Sequence, residues 1–226
     1  MKTLTIMMVT RGGDTIGFRG LRSLPFPRVL GWDKVEPIPE PMMDTHLSVN
    51  CRRSIVEDVH DEMLMHVKTT HVLRLDDDET VSPAMAKWLR DGEWQAHDHW
   101  KFPRMNMWSA KSGIVALGTL QLFPDHQTRL SRVDLAGGRN HIHAGSPNGG
   151  GEEAPVCIYH WKFVEKTYEQ RRAIAESYDR VQPGAGTGGM LAFSLPEDAY
   201  RGQEVPTFWP GLGEHLPARG PDIKLS

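Results

Sequence analysis

Cysteine is nearly absent: the 226 residues hold only Cys51 and Cys157. Two distant cysteines cannot staple a fold, and they lack the paired spacing of a zinc site, so a reducing compartment is expected. No apolar run approaches the roughly 20 residues needed to cross a bilayer. The opening Met-Lys-Thr-Leu-Thr-Ile reads as a strand without a small-residue cleavage site. Those absences predict a cytoplasmic protein with no membrane partner. Charge of one sign is also missing. With 26 Lys and Arg against 29 Asp and Glu, a net charge of −3 gives no global pull toward nucleic acid. The glycines from Gly184 to Gly189 lack the Gly-Lys-Ser/Thr of a phosphate-binding loop, and neither a dinucleotide fingerprint nor a Gly-x-Ser-x-Gly elbow occurs. No internal repeat is found. What remains, at 39% hydrophobic residues, is one medium globular domain able to bury a sizeable core.

Charge is nevertheless uneven. From His99 to Gly145, Lys101, Arg104, Lys111, Arg129, Arg132 and Arg139 stand against only Asp125 and Asp134, a local excess of four. Such a segment can face a phosphorylated ligand, or it can be a surface balanced by acids elsewhere.

Apolar periodicity gives the order of elements. Leu4 to Val9 reads as a strand ending at Thr10-Arg11-Gly12. Val29, Leu30 and Trp32 predict a second strand ending at Asp33. Pro37, Pro39 and Pro41 then make an extended connector through Met43. Ile55, Val56, Val59, Met63 and Val67 recur at helical spacing, with Ser48 or Asn50 as cap. That helix leads to a strand His71–Leu75, a βαβ unit with a parallel pair. Ser82-Pro83 opens a helix that stops near Gly92. Trp94 to Gly151 shows only short apolar pieces, among them Ile114–Leu122. A strand Val156–Tyr159 and a helix Phe163–Val181 follow, and a Pro- and Gly-rich tail closes the chain.

One segment stands out. Val72-Leu73-Arg74-Leu75 should be a buried strand, and it ends in Asp76, Asp77, Asp78 and Glu79. Four carboxylates at the end of a strand repel one another, so a positive group belongs there. Mg2+ or Mn2+, which prefer carboxylate oxygen, are the obvious candidates. A solvated acidic turn before a helix is the plain alternative. Arg52 and Arg53 open the helix predicted before that strand, an unfavourable place for cations unless an anion is near. His141 and His143 alternate on a possible strand and point the same way.

A strand ending in Thr10-Arg11, then Arg52-Arg53, then Leu73-Arg74-Leu75-Asp76-Asp77-Asp78-Glu79 resembles family 2-like glycosyltransferases of the GT-A fold. Pro124-Asp125-His126-Gln127-Thr128-Arg129-Leu130, Ile158-Tyr159-His160 and the helix carrying Tyr178 extend the resemblance from Leu4 to Tyr178. It departs after the second strand, where Gly31-Trp32-Asp33 replaces the usual Asp-Asx-x-Ser-x-Asp. The resemblance implies an α/β fold, with a central, mostly parallel, Rossmann-like sheet flanked by helices. The catalytic domain would span residues 1–182, with 1–92 binding a nucleotide sugar and 93–182 the acceptor. Residues 183–226 would form an irregular extension. Mn2+ or Mg2+ would be held by Asp78, Asp76 and His160. Thr10, Arg11, Asp33, Arg52, Arg53, Asp76 and Asp77 would surround a nucleoside-diphosphate sugar, with a UDP-sugar first. Gln127 and Arg129 would orient donor or acceptor. Asp125 would be the base of an inverting transfer to a hydroxyl. Known acceptors of such enzymes include glycans, proteins and, in small bacteriophage-type members acting in the host cytoplasm, hydroxymethylated DNA bases. Two rivals remain at this stage. One is a metal-dependent phosphoesterase or nuclease using the acids with His141, His143 and His160. The other is a non-catalytic nucleotide-sugar-binding module.

Overall fold

The computed structural model describes residues 2–12, 15–38, 44–52, 55–110, 113–116, 125–136 and 151–184. At its centre lies β1 (Leu4–Thr10), buried at every residue. A parallel strand covered on both faces needs a near-continuous apolar run, as this stretch provides. β2 (Arg28–Asp33) and β4 (His71–Asp76) flank β1 in parallel, and β3 (Asp44–Val49) lies outside β2. The order 3-2-1-4 is that of a Rossmann-like mononucleotide-binding half. Past β4 the sheet continues through β8 (Asp125–Arg132), β6 (His99–Ala110), β10 (Ile158–His160) and β5 (Glu79–Val81). β8 is antiparallel to both of its neighbours, and β10 is parallel to β6. β7 (Gly113–Ala116) and β9 (Glu152–Glu153) pair with β6.

The two-residue period of β1 divides the core into two layers. Leu4, Ile6 and Met8 pack with Leu30, Trp32, Leu73 and Leu75 against α1 (Ile16–Leu21) and α3 (Pro83–Asp91). Met7 and Val9 pack with Val29, Val72 and Met63 of α2 (His60–Leu64) on the other face. Each such side chain contributes about 1.5–3 kcal/mol on burial. Helices on both faces of a mostly parallel sheet make this an α/β fold of the Rossmann-like, GT-A type expected from the sequence.

The local stop and start signals work as read. The Ser82 hydroxyl accepts from Met85 N–H at 3.1 Å, Pro83 opens α3, and Gly92 ends it at φ 78°, a left-handed cap that favours glycine. Other elements differ. Ser48 lies in β3 rather than capping a helix, and the helix expected from Ile55 shrinks to a 3-10 turn, Val56–Val59, plus five-residue α2. Neither piece has a side-chain cap, and β-branched residues shorten it; the spacing still identified Val59 and Met63 as core. The single helix expected over Phe163–Val181 is two, α4 (Lys162–Glu165) and α5 (Tyr168–Val181). Thr167 and Gln170 build a capping box that restarts it. Asp125 opens β8, and twelve-residue β6 was hidden by Pro103 and Arg104 in its middle. The tail from residue 185 lies outside the described residues.

Candidate functional site

In a 3-2-1-4 sheet the strands lead away from β1 and β4 in opposite directions, which opens a crevice at their carboxyl ends. Thr10 pairs with Trp32 and Val9 with Asp76, so Arg11, Asp33 and the acids all emerge at this edge. The acidic turn is held by the backbone. Asp77 C=O accepts from Gly17 N–H at 3.0 Å, Asp78 C=O accepts from Trp161 N–H at 2.8 Å, and Asp76 N–H donates to Glu79 at 3.1 Å. Position 17 must be glycine for this approach, because a Cβ there would lie 2.5 Å from the Asp77 carbonyl oxygen.

Each acid has its own surroundings. Asp76 accepts from Arg129 Nη2 at 2.5 Å. Burial works to raise its pKa, but Arg129 and Arg74 outweigh that and hold the carboxyl below the usual range. Glu79 is wholly buried and accepts from Arg129 at 2.7 Å and Arg104 at 3.2 Å. Asp77 accepts from the Arg11 backbone N–H at 3.2 Å; burial, then neighbouring Asp78, push it up to about 6. Asp78 is buried, with Oδ2 3.6 Å from His160 Nε2 and 3.5 Å from Lys162 Nζ. Burial opposes its ionisation, yet the Lys162 ammonium holds it well below the carboxylate norm. Asp78 and Glu79 are therefore turned into the protein, Asp78 toward His160, while Asp76 and Asp77 are half-buried.

His160 sits in β10 between Glu79 of β5 and Asn106 of β6. Its Nδ1 lies 2.6 Å from Asn106 Oδ1. A carboxamide oxygen only accepts, so Nδ1 carries the proton and Nε2 of the neutral ring presents a lone pair. Burial, then Arg104, lower the ring's pKa and favour that neutral form. Nε2 is buried without a hydrogen-bond partner. A lone pair facing a carboxylate oxygen across 3.6 Å is repulsive unless a cation lies between them. This nitrogen and oxygen thus fit a divalent cation, which takes such donors together with oxygens from water or phosphate. Among the described residues no group of three or more His, Cys, Asp or Glu gathers for a metal, so the pair would share it with non-protein ligands.

Beside the pair lies a cavity of about 440 Å³, lined among others by Arg11, Ile55, Glu57, Asp76, Asp77, Asp78, Arg104, Lys162, Lys166 and Tyr178. A lining of both acids and cations suits a ligand that carries both a bound cation and anionic groups. Asp33 serves this wall indirectly. Its two oxygens accept from Arg11 Nε at 2.8 Å and Cys51 N–H at 3.1 Å, which aims the arginine. Thr10 is buried and accepts from Gly12 N–H at 3.4 Å. Arg52 lines a different hollow, of about 700 Å³, with Ser48, Asn50, Asp58 and Glu62. Gln127 lies half-buried in β8 opposite Phe102. Asp125 begins that strand opposite Arg104, its side chain outside the described part. Arg53, His141 and His143 also lie outside the described residues.

The basic middle segment is balanced locally. Arg104 and Arg129 are buried against Glu79 and Asp76, Arg132 pairs with Asp98 and Asp134, and Lys101 lies 3.9 Å from Glu153. Lys111 and Arg139 lie outside the described residues. Sequence reasoning missed Arg74, Arg104, Asn106, Glu57 and Lys162 as site residues. Arg74 carried a usable signal, a charge inside a buried strand; its Nη1 donates to His60 Nδ1 at 3.3 Å on the α2 face. Asn106 meets His160, and Lys162 meets Asp78, only through tertiary pairing that no sequence spacing encodes.

No family model and no curated protein matches the chain. Solved structures resemble it in outline. S. aureus TarS 1-349 gives a TM-score of 0.40 at 11% identity, over 87% of this chain and 71% of that one. The same TarS fragment in complex with UDP-GlcNAc gives 0.40 at 12%, over 85% and 73%. The 4-diphosphocytidyl-2C-methyl-D-erythritol synthase of Anaerococcus prevotii gives 0.40 at 8%, over 80% and 96%.

Proposed function

We propose that this chain is a metal-dependent glycosyltransferase that moves a sugar from a nucleoside diphosphate to an acceptor hydroxyl with inversion. The observation that carries the reading is the pair Asp78 Oδ2 and His160 Nε2, 3.6 Å apart beside a charged cavity at the carboxyl ends of β1 and β4. Asp78 and His160 would hold Mn2+ or Mg2+, with Asp76 next to them. Such an ion neutralises the charge that develops on a diphosphate leaving group.

The protein's own groups supply the rest. Arg11, aimed by Asp33, and Thr10 stand at the nucleotide end, while Lys166 and Asp77 border the diphosphate. Arg129 acts through Asp76, fixing its carboxylate where the ribose or a metal-bound water would meet it. Asp125 takes the proton of the attacking hydroxyl, and Gln127 orients the acceptor. The nucleotide-binding half is residues 1–92 and the acceptor half 93–182. Among a hydroxymethylated DNA base, a protein and a glycan, the acceptor is the open term, and the paired state of Arg104, Arg129 and Arg132 lends no support to DNA.

Thermal shift of the purified chain against UDP-, GDP-, dTDP- and CDP-sugars, with and without Mn2+, tests this. A true donor at a hundredfold excess over its Kd stabilises the fold by about 2.7 kcal/mol. That response should need Mn2+ and be lost in Asp78→Asn. Stabilisation by none of the four, together with Mn2+-dependent hydrolysis of a phosphodiester, would replace the reading with a phosphoesterase.

A further inference from the structure

Lys162 is a buried cation that the acidic motif does not account for. It opens α4 two residues after His160, with its side chain 9% exposed. Its ammonium lies 3.5 Å from Asp78 Oδ2 and 6.0 Å from the centre of the Tyr178 ring. The same oxygen faces His160 Nε2 at 3.6 Å. One carboxylate oxygen thus has both a lone pair and an ammonium within 3.6 Å. At 3.5 Å the pair with Lys162 is looser than the about 2.7–2.9 Å of a tight charge-assisted hydrogen bond. Lysine is a point charge on a flexible stem, able to swing within the cavity that it lines beside Arg11 and Lys166.

We infer that Lys162 is a diphosphate-binding residue that holds Asp78 while the site is empty and releases it when a divalent cation enters. This rests on the reading of Asp78 and His160 as the cation's ligands. A divalent cation on Asp78 Oδ2 repels an ammonium this close, and the phosphate oxygens arriving with it give that ammonium a new partner. The exchange keeps the buried charge matched in both states, because Asp78 is never left alone and Lys162 is never left beside a cation without an anion. Metal alone must displace Lys162 and binds weakly, whereas metal and diphosphate favour each other's binding by the same factor.

The test compares wild type with Lys162→Met. Each is titrated with Mn2+ alone, followed by the paramagnetic resonance of free Mn2+, and then with inorganic pyrophosphate at saturating Mn2+ by calorimetry. The variant should bind Mn2+ on the order of tenfold tighter and pyrophosphate on the order of tenfold weaker. Lys162→Arg, which keeps the charge, should stay near wild type in both. If circular dichroism shows Lys162→Met unfolded, Lys162→Gln gives the same comparison. Equal Mn2+ affinity in wild type and variant overturns the role of Lys162 alone. No Mn2+ binding by either protein overturns the cation reading, and the role of Lys162 with it.

Discussion

Replacing Arg129 with methionine should be the costliest single change near the site that leaves every acid in place. Arg129 Nη2 donates to Asp76 at 2.5 Å and to Glu79 at 2.7 Å, and its side chain is 1% exposed. Removing one partner of a buried ion pair costs about 3–5 kcal/mol, because the other charge stays buried without compensation. Arg104 still reaches Glu79 at 3.2 Å, so the lower end applies, about 3 kcal/mol. For a domain of this size that lowers Tm by about 6–12 °C. The effect has a pH signature. In wild type the Asp76 carboxyl is held below its ordinary range, so its contribution is full above the unfolded value and is lost only as pH falls through the depressed one. Without Arg129, burial is less opposed, the carboxyl takes up a proton at higher pH, and the variant's deficit should narrow as the medium is acidified. Urea and thermal melts at pH 7.5 and pH 5 measure both quantities. The double variant Arg129→Met, Asp76→Asn should recover about 1 kcal/mol by removing the carboxylate left without its hydrogen-bonding cation. A deficit under about 1 kcal/mol, or one that does not change with pH, would refute the assignment of this arginine as the clamp on two acids.

Two further outcomes follow from the acidic turn, and a third from the proposed transfer. Asp77, pushed up to about 6 by burial and Asp78, binds its proton more tightly folded than unfolded, so its ionisation destabilises the fold above that value. Asp77→Asn, melted in EDTA, should therefore be more stable than wild type at pH 7.5 by about 3 kcal/mol, with the gap closing toward pH 4. Gly17→Ala brings a methyl to 2.5 Å from the Asp77 carbonyl oxygen and should cost about 1–3 kcal/mol. It should also weaken Mn2+ binding by displacing the turn, whereas an unchanged titration would show the contact to be slack. Asp125→Asn should abolish sugar transfer while leaving donor-induced thermal stabilisation intact; transfer at the wild-type rate would remove Asp125 from the mechanism.

How much the sequence disclosed depends on the range of the contact. Ser82-Pro83 and Gly92 fixed α3 because caps act within one turn of their own residue. The apolar run of β1 and the spacing of Val59 and Met63 identified core faces because burial follows strand and helix periods. The acids were legible as a cluster that needs positive partners, because four like charges at a strand end repel one another. That partner was hard to see. Arg129 lies 53 residues from Asp76, and Asn106 lies 54 from His160, joined only by strand register. β6 went unseen because its Pro and Arg break the pattern that a buried strand normally writes, and Arg104 is tolerated there with Glu79 opposite.

Anomalous diffraction at the manganese edge, on crystals soaked with Mn2+ and UDP, is the most direct measurement. A single strong peak is expected about 2.0–2.3 Å from both Asp78 Oδ2 and His160 Nε2, shared with diphosphate oxygens. A nucleotide bound in the 440 Å³ cavity with Lys162 still against Asp78, and no manganese between Asp78 and His160, would contradict it.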